Sequence, residues 1–313
     1  MKTLLQRTIQ DKEVNLYPVW LMRQAGRYMP EYMAIKAESN GFLDMALTPE
    51  KATEITMQPI KEFDMDAAII FSDILIINYA LGQELDYNPA PELGPYKESF
   101  WETTESEFIE KCEPVYEAIR RVREELDDSK SLIGFAAAPY TLCKYMCDSV
   151  DSDIVNRLIP YIVTHLSMQI EAGCDTIQIF DSWAGDISEH DFDEIIIEPT
   201  KLIVDAIRSR HPEVCIIAFP RLVGNKINKY IEIVNPDCTN ISDDKPVDEI
   251  EGEVLQGGIA VKILIKGEDI TPVLDKMKGK PYVVNLAHGI DKITPVENVR
   301  NLVNKAKEYR ENV

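Results

Sequence analysis

"TIQIFDSWAG", Thr176 to Gly185, starts with an apolar, β-branched-rich run and then breaks into Asp181, Ser182 and a glycine. Before it, Asp153–Ala172 repeats apolar residues at helical spacing and stops at Gly173. After it, a second helical pattern, Pro199–Arg210, ends before His211-Pro212, a stop signal. A short continuous apolar run between two helices suits a strand buried on both faces, as in a parallel sheet with helical crossovers.

The unit recurs along the chain. Strands are predicted over Val19–Met22, Ala67–Phe71, Leu132–Ala136, Thr176–Phe180, Cys215–Phe219 and Cys238–Ile241, over Glu253–Leu255 or alternatively Ile259–Ile265, and over Tyr282–Leu286. Further helices are predicted over Glu105–Asp127, Thr271–Met277 and Pro295–Arg310. Alternating strand and helix implies an α/β class. Eight units without a composition break imply a (β/α)8 barrel, one domain over residues 1–313 with residues 1–18 as an N-terminal extension. A barrel puts its active site where the strands end. At the strand ends of this chain stand Arg23, Ser72-Asp73, Pro139, Asp181-Ser182, Pro220-Arg221, Ser242-Asp243-Asp244, Gly257-Gly258 and His288-Gly289.

Composition excludes several classes. The 313 residues carry a formal net charge of -21, which gives no basic footprint for nucleic acid. No run approaches the roughly 18 apolar residues of a membrane span. The N-terminus has no apolar signal-peptide core, so a cytoplasmic chain is expected. The six cysteines form no CxxC pair and read as free thiols, with Cys143 and Cys147 spaced to share a helix face. The four histidines (His165, His190, His211, His288) show no HxH or HExxH spacing, and no dinucleotide, phosphate-loop or GxSxG motif is present.

Each candidate residue has a functional and a structural reading. "PVWLMRQAGRYMPEY", Pro18 to Tyr32, puts Arg23 and Arg27 around Gly26. Two planar forks can clamp carboxylates bidentately, or they can pair with this chain's abundant acids. Asp73 either caps the next helix or faces the barrel mouth, where it would accept N–H bonds or stabilise a developing cation. In "GFAAAPYTLCKYM", Gly134 to Met146, small residues leave room for a bulky ligand. Tyr145 there either donates a hydrogen bond into the cleft or bonds to the backbone. Asp181 and Ser182 could cap, and His288 stands alone in "NLAHG".

Taken together these blocks resemble the uroporphyrinogen decarboxylase family. "PVWLMRQAGRYMPEY" is similar to its N-terminal signature. "AAIIFSDIL", "GFAAAPYTL", "QIFDSWAG", "FPR", "NLAHGI" and "TPVENV" come after it in the family's order. The resemblance implies a (β/α)8 barrel, a homodimer with a deep cleft, and no cofactor or metal. It implies removal of four acetate carboxyls from uroporphyrinogen, giving coproporphyrinogen in the haem pathway. By the same resemblance Arg23 and Arg27 bind substrate carboxylates, Asp73 holds the pyrrole N–H groups, and Tyr145, Ser182 and His288 contact substrate. Arg23, Arg27 and Asp73 form the catalytic set. The general acid stays open between an Arg-bound water, a substrate carboxyl and Arg27. The sequence departs from the family at "NISDD", Asn240 to Asp244, at "VLQGGIAV", Val254 to Val261, and at Ala287. Two alternatives stand beside this reading: a corrinoid-dependent methyltransferase of the same superfamily, which would carry zinc, and a tetrapyrrole-binding protein without turnover.

Overall fold

The computed structural model describes residues 1–88 and 90–313. Its centre is a curled, wholly parallel seven-stranded sheet in a mixed α/β fold. The strands are β1 (Ala67–Ile69), β2 (Ser131–Ala137), β3 (Thr176–Asp181), β4 (Cys215–Pro220), β5 (Cys238–Ile241), β6 (Leu255–Gly257) and β7 (Tyr282–Val283). They lie in chain order. Every position of β2 and β4 is buried, as expected of strands covered on both faces. Register runs evenly, with Ile133 opposite Thr176 and Thr176 opposite Cys215.

The crossover helices match the sequence pattern to within two residues at each end. Glu105–Glu125 starts at a capping box in which Thr104 and Glu107 satisfy each other's backbone N–H groups. Ser152–Glu171 is capped by Asp151, and Glu198–Arg210 and Val296–Glu311 come later in the chain. A small antiparallel hairpin, Leu85–Tyr87 against Pro91–Leu93, stands apart from the sheet.

Two strand expectations need correction. Val19–Met22 is not a regular strand, and only Val19 forms a bridge, parallel to Val284. Side chains take the backbone groups that a ladder would use. Gln24 Oε1 accepts from Leu21 N at 3.2 Å, and Asn285 Oδ1 accepts from Met22 N at 3.0 Å. The chain then turns through Arg23 at φ +56°. The segment nonetheless bonds to both edges of the sheet. Val284 N donates to Pro18 O at 2.9 Å, and Asp66 N donates to Val19 O at 2.9 Å. For the seventh strand, Leu255–Gly257 is the strand, and the alternative Ile259–Ile265 is mostly helix, Val261–Lys266. Gly257 and Gly258, at φ +83° and +78°, end the strand there.

Beneath the sheet, the N-terminal helix Leu4–Gln10 buries Leu5 and Ile9 against Trp20, Ala67, Ile133, Cys215 and Val283. Trp20 Nε1 donates to Gln256 Oε1 at 2.9 Å. Gln256 Nε2 in turn reaches Gln178 Oε1 at 3.0 Å and Asn240 Oδ1 at 2.8 Å, so these buried polar groups satisfy one another. No helix is long and apolar enough to cross a membrane among the described residues. The six cysteines are free, and Cys143 and Cys147 do share a face, their sulfurs 3.8 Å apart.

Candidate active site

The turn that carries Arg23 is fastened from several sides. Gln24 N donates to Leu21 O at 2.9 Å, and Gln24 Nε2 reaches Ala67 O of β1 at 3.2 Å. Ile290 N donates to Met22 O at 2.9 Å, and the Tyr28 hydroxyl to Gln24 O at 2.6 Å. A non-glycine residue at positive φ is uncommon and costs about 1–3 kcal/mol, so this turn is held in place by its surroundings. The Arg23 side chain runs over Gly289. A Cβ at that position would lie 2.4 Å from Arg23 Cδ, so only glycine leaves the path open.

Arg23 therefore passes beside His288, and it is also the charged neighbour of Asp73. His288 is half-buried, and burial above all, then the Arg23 and Arg221 charges, lowers its pKa to about 4. It is a neutral imidazole at neutral pH. Asp73 is half-buried, with Oδ1 accepting from Leu75 N at 2.8 Å. Desolvation raises its pKa, while the Leu75 N–H, the Tyr87 hydroxyl and Arg23 oppose the rise. The Tyr87 hydroxyl is buried beside this carboxylate without a hydrogen-bond partner of its own. The Tyr87 ring packs on Phe42 at 4.6 Å, and Phe42 packs on Phe71 at 5.3 Å, two residues before Asp73.

Tyr145 is half-buried on the helix Pro139–Cys147, with its ring edge-on to Trp183 at 5.9 Å. It is also near Tyr87. Ser182 comes directly after β3, and its carbonyl accepts from Arg221 Nη1 at 3.4 Å. Charge interactions thus link Arg23 with Asp73 and His288, Asp73 with Tyr87, and Arg221 with His288, while Arg221 bonds directly to Ser182. Arg27 lies exposed on the same turn, near Tyr32. Asp181 is buried: Oδ1 accepts from Thr141 Oγ1 at 2.7 Å, Oδ2 has no partner, and burial pushes its pKa up to about 7.

Of the twelve arginines, eight have a carboxylate oxygen within 4.0 Å. The four that do not, among the described residues, are Arg23, Arg27, Arg221 and Arg210. Arg210 is exposed at the far end of its helix, and the other three lie along the sheet's C-terminal edge. Pairing with the chain's own acids, the structural alternative for Arg23 and Arg27, is therefore absent there.

The family model described as uroporphyrinogen decarboxylase (URO-D) matches residues 1–309. The chain belongs to that family. Among its relatives, a protein named uroporphyrinogen decarboxylase from Rickettsia bellii (strain RML369-C) is 38% identical, covering 98% of this chain and 99% of the relative. Another of that name, from Jannaschia sp. (strain CCS1), is 35% identical over 96% of this chain and 98% of its own. Among solved structures, a methyltransferase from Methanosarcina mazei superposes with a TM-score of 0.78 at 15% identity, over 99% of both chains, and so shares the fold.

Against this family background, four residues stand out as supports, three of them unmarked in the sequence and the fourth, Gly289, named there only as a strand-end residue. Gln24 and Asn285 shape the Arg23 turn, Gly289 clears its path, and Tyr87 adjoins Asp73. Gln24 and Asn285 lie inside quoted motifs, but nothing in a linear sequence marks an amide as replacing a strand partner. Tyr87 reaches Asp73 from a separate hairpin. Among the described residues, no three His, Cys, Asp or Glu side chains are gathered to hold a metal ion. The other three histidines lie elsewhere: His165 is buried with Nδ1 2.9 Å from the Tyr116 hydroxyl, His190 is exposed, and His211 comes just after a helix.

Proposed function

We propose that this member of the uroporphyrinogen decarboxylase family removes the four acetate carboxyls of uroporphyrinogen III in haem biosynthesis. The products are coproporphyrinogen III and CO2, and no cofactor takes part. The observation that carries the site assignment is Arg23, which has no carboxylate within 4.0 Å among the described residues, passes over Gly289 beside the neutral His288, and acts by its charge on the half-buried Asp73. The substrate is a polyanion of eight carboxylates, and the protein's charge is -21. Long-range attraction is therefore absent, and salt screens the repulsion beyond about 8–10 Å. Binding must come from close guanidinium contacts, and Arg23 and Arg27 have no protein carboxylate to give up first.

An acetate on a pyrrole loses CO2 when the ring can accept the electron pair. Protonation of the adjacent ring carbon makes an iminium-like cation that does so. As CO2 leaves, the bonding electrons return to the ring as an exocyclic methylene, a second proton turns that methylene into a methyl group, and the first proton leaves the ring carbon to restore the pyrrole. Asp73 serves this step as a carboxylate: it accepts pyrrole N–H bonds and stabilises the cation, most strongly where water is excluded. Tyr145, Ser182 and neutral His288 complete the substrate contacts. Arginine is a poor acid, and the first proton comes from an Arg-bound water, a substrate carboxyl or Arg27.

The same proposal covers the architecture. The bonds from Pro18 and Val19 to both sheet edges support closure of the seven strands into a (β/α)8 barrel. We read residues 1–313 as a single such domain that works in the cytoplasm as a homodimer, for which light scattering at micromolar concentration is the check. The deciding experiment is anaerobic incubation with uroporphyrinogen III and a chelator, with the products then separated by carboxyl number. A shift from eight carboxyls to four is expected. No shift, from folded protein that binds the substrate, would leave a binding protein without turnover.

A further inference from the structure

The turn after β4 carries an arginine to which none of the contacts above gives a substrate role. β4 is the fourth of the seven strands, so in sheet order it is farthest from both edges, where the Arg23 segment lies. Arg221 is half-buried and has no carboxylate within 4.0 Å among the described residues. Its backbone is fixed closely. Arg221 N donates to Asp181 O at 3.1 Å, Leu222 N to Ser242 Oγ at 3.0 Å, and Gly224 N to Asp244 Oδ2 at 3.0 Å. Leu222 sits at φ +57°, a left-handed conformation that a leucine rarely adopts. A Cβ on Gly185 would lie 2.5 Å from Leu222 O, so the loop after β3 and the turn after β4 meet at a glycine contact.

Two of these bonds come from the "NISDD" segment, Asn240 to Asp244. Ser242 and Asp244 are the groups that hold the Arg221 turn. The guanidinium spends one of its five donors on Ser182 O at 3.4 Å. Its charge acts on His288, as Arg23's does. A macrocycle with carboxylates around its whole rim needs cations on more than one wall, and Arg23 and Arg27 occupy a single turn.

We propose that Arg221 is a third carboxylate-binding arginine, engaging a substrate carboxylate on the cleft wall formed by the turns after β3 and β4. The proposal rests on the assignment of an octacarboxylate substrate. Its ordinary structural alternative is that Arg221 only holds the Ser182 carbonyl.

The test measures the anaerobic equilibrium Kd of uroporphyrinogen III alongside steady-state KM and kcat, for wild type, Arg221→Gln, Arg221→Lys and Arg221→Met. Glutamine keeps an N–H for Ser182 O but removes the charge. The expected result is a Kd and KM raised about tenfold or more in Arg221→Gln and Arg221→Met, the scale of a charge-assisted pair. Arg221→Lys should fall between these and wild type, and kcat should fall less than KM rises. An NMR titration should show the His288 pKa rising in Arg221→Gln, because a neighbouring cation is gone. Wild-type Kd in Arg221→Gln would overturn the proposal. So would glutamine fully rescuing a methionine defect, which would assign Arg221 to Ser182 alone. A wild-type chain that binds uroporphyrinogen without decarboxylating it would overturn the enzyme assignment while the Kd series still decides Arg221. Failure to bind at all would overturn both.

Discussion

At Asp73, burial raises the carboxyl's pKa while the Leu75 N–H, Tyr87 and Arg23 act to keep it ionised. Asp73→Asn keeps the acceptor for Leu75 and loses the charge, so turnover should drop by about 10²–10³-fold, the scale of one electrostatic stabiliser. The check is product carboxyl number against time with a matching unfolding curve, and near-normal turnover would remove Asp73 from the catalytic step. Arg23→Gln takes a cation from beside Asp73. The carboxyl's pKa then rises further, and the acid limb of kcat/KM should move to higher pH; an unmoved limb would mean that Arg23 does not act on Asp73 during catalysis. Asp181 behaves differently. Its folded pKa of about 7 lies above the unfolded value near 3.9, so between these values the folded state holds a proton that the unfolded state has released. Stability from this group is therefore lost as pH rises through that window. Asp181→Asn keeps the acceptor for Thr141 and should flatten this loss, gaining up to a few kcal/mol above pH 7, on the order of 1.4 kcal/mol per unit. His288, lowered to about 4, has the opposite slope below pH 6.5 and is common to both proteins, so the difference between their urea curves isolates Asp181. A difference that does not change with pH would place the Asp181 pKa near its ordinary value.

Among the elements, the Arg23 turn and Gly289 work as one unit. Gly289→Ala brings a methyl carbon to within 2.4 Å of Arg23 Cδ, on a side chain free to swing aside. KM for the octacarboxylate should rise about tenfold as the guanidinium leaves its place, with Tm little changed; wild-type KM would show that Arg23 does not bind from this position. Much of this level was legible in the sequence, for physical reasons. β3 and β4 were readable because a strand covered on both faces is a continuous apolar run, and the helices because caps such as Thr104 and Asp151 are local. Arg23, Asp73, Ser182 and His288 could be placed at one edge because strand ends converge there. The parts that were not legible depended on partners distant in sequence. Val19–Met22 has a strand's composition, but the Asn285 and Gln24 side chains intercept its N–H groups. Ile259–Ile265 is equally apolar, yet after the left-handed Gly257 and Gly258 the chain forms one bridge at Ile259 and then the helix Val261–Lys266. Tyr87 and Arg221 carry no local mark of their neighbours.

Over the whole molecule, the N-terminal helix is part of the core. Leu5 and Ile9 are buried against residues from β1, β2, β4 and β7. Removing residues 1–12 would expose that apolar floor together with Trp20. Each of these large side chains is worth about 1.5–3 kcal/mol when buried, so the truncated chain should lose several kcal/mol and aggregate on heating, which calorimetry and light scattering would register. Unchanged Tm would mean that the helix adds little to the core it covers. The same arrangement sets a schedule for synthesis. The helix at residues 4–10 leaves the ribosome long before one of its docking partners, Tyr282–Val283, is made. At roughly 5–20 residues per second the nascent chain spends on the order of half a minute with its opening helix and Trp20 lacking their final neighbours. The contacts that complete the core join segments far apart in sequence, which favours late and slow completion of folding.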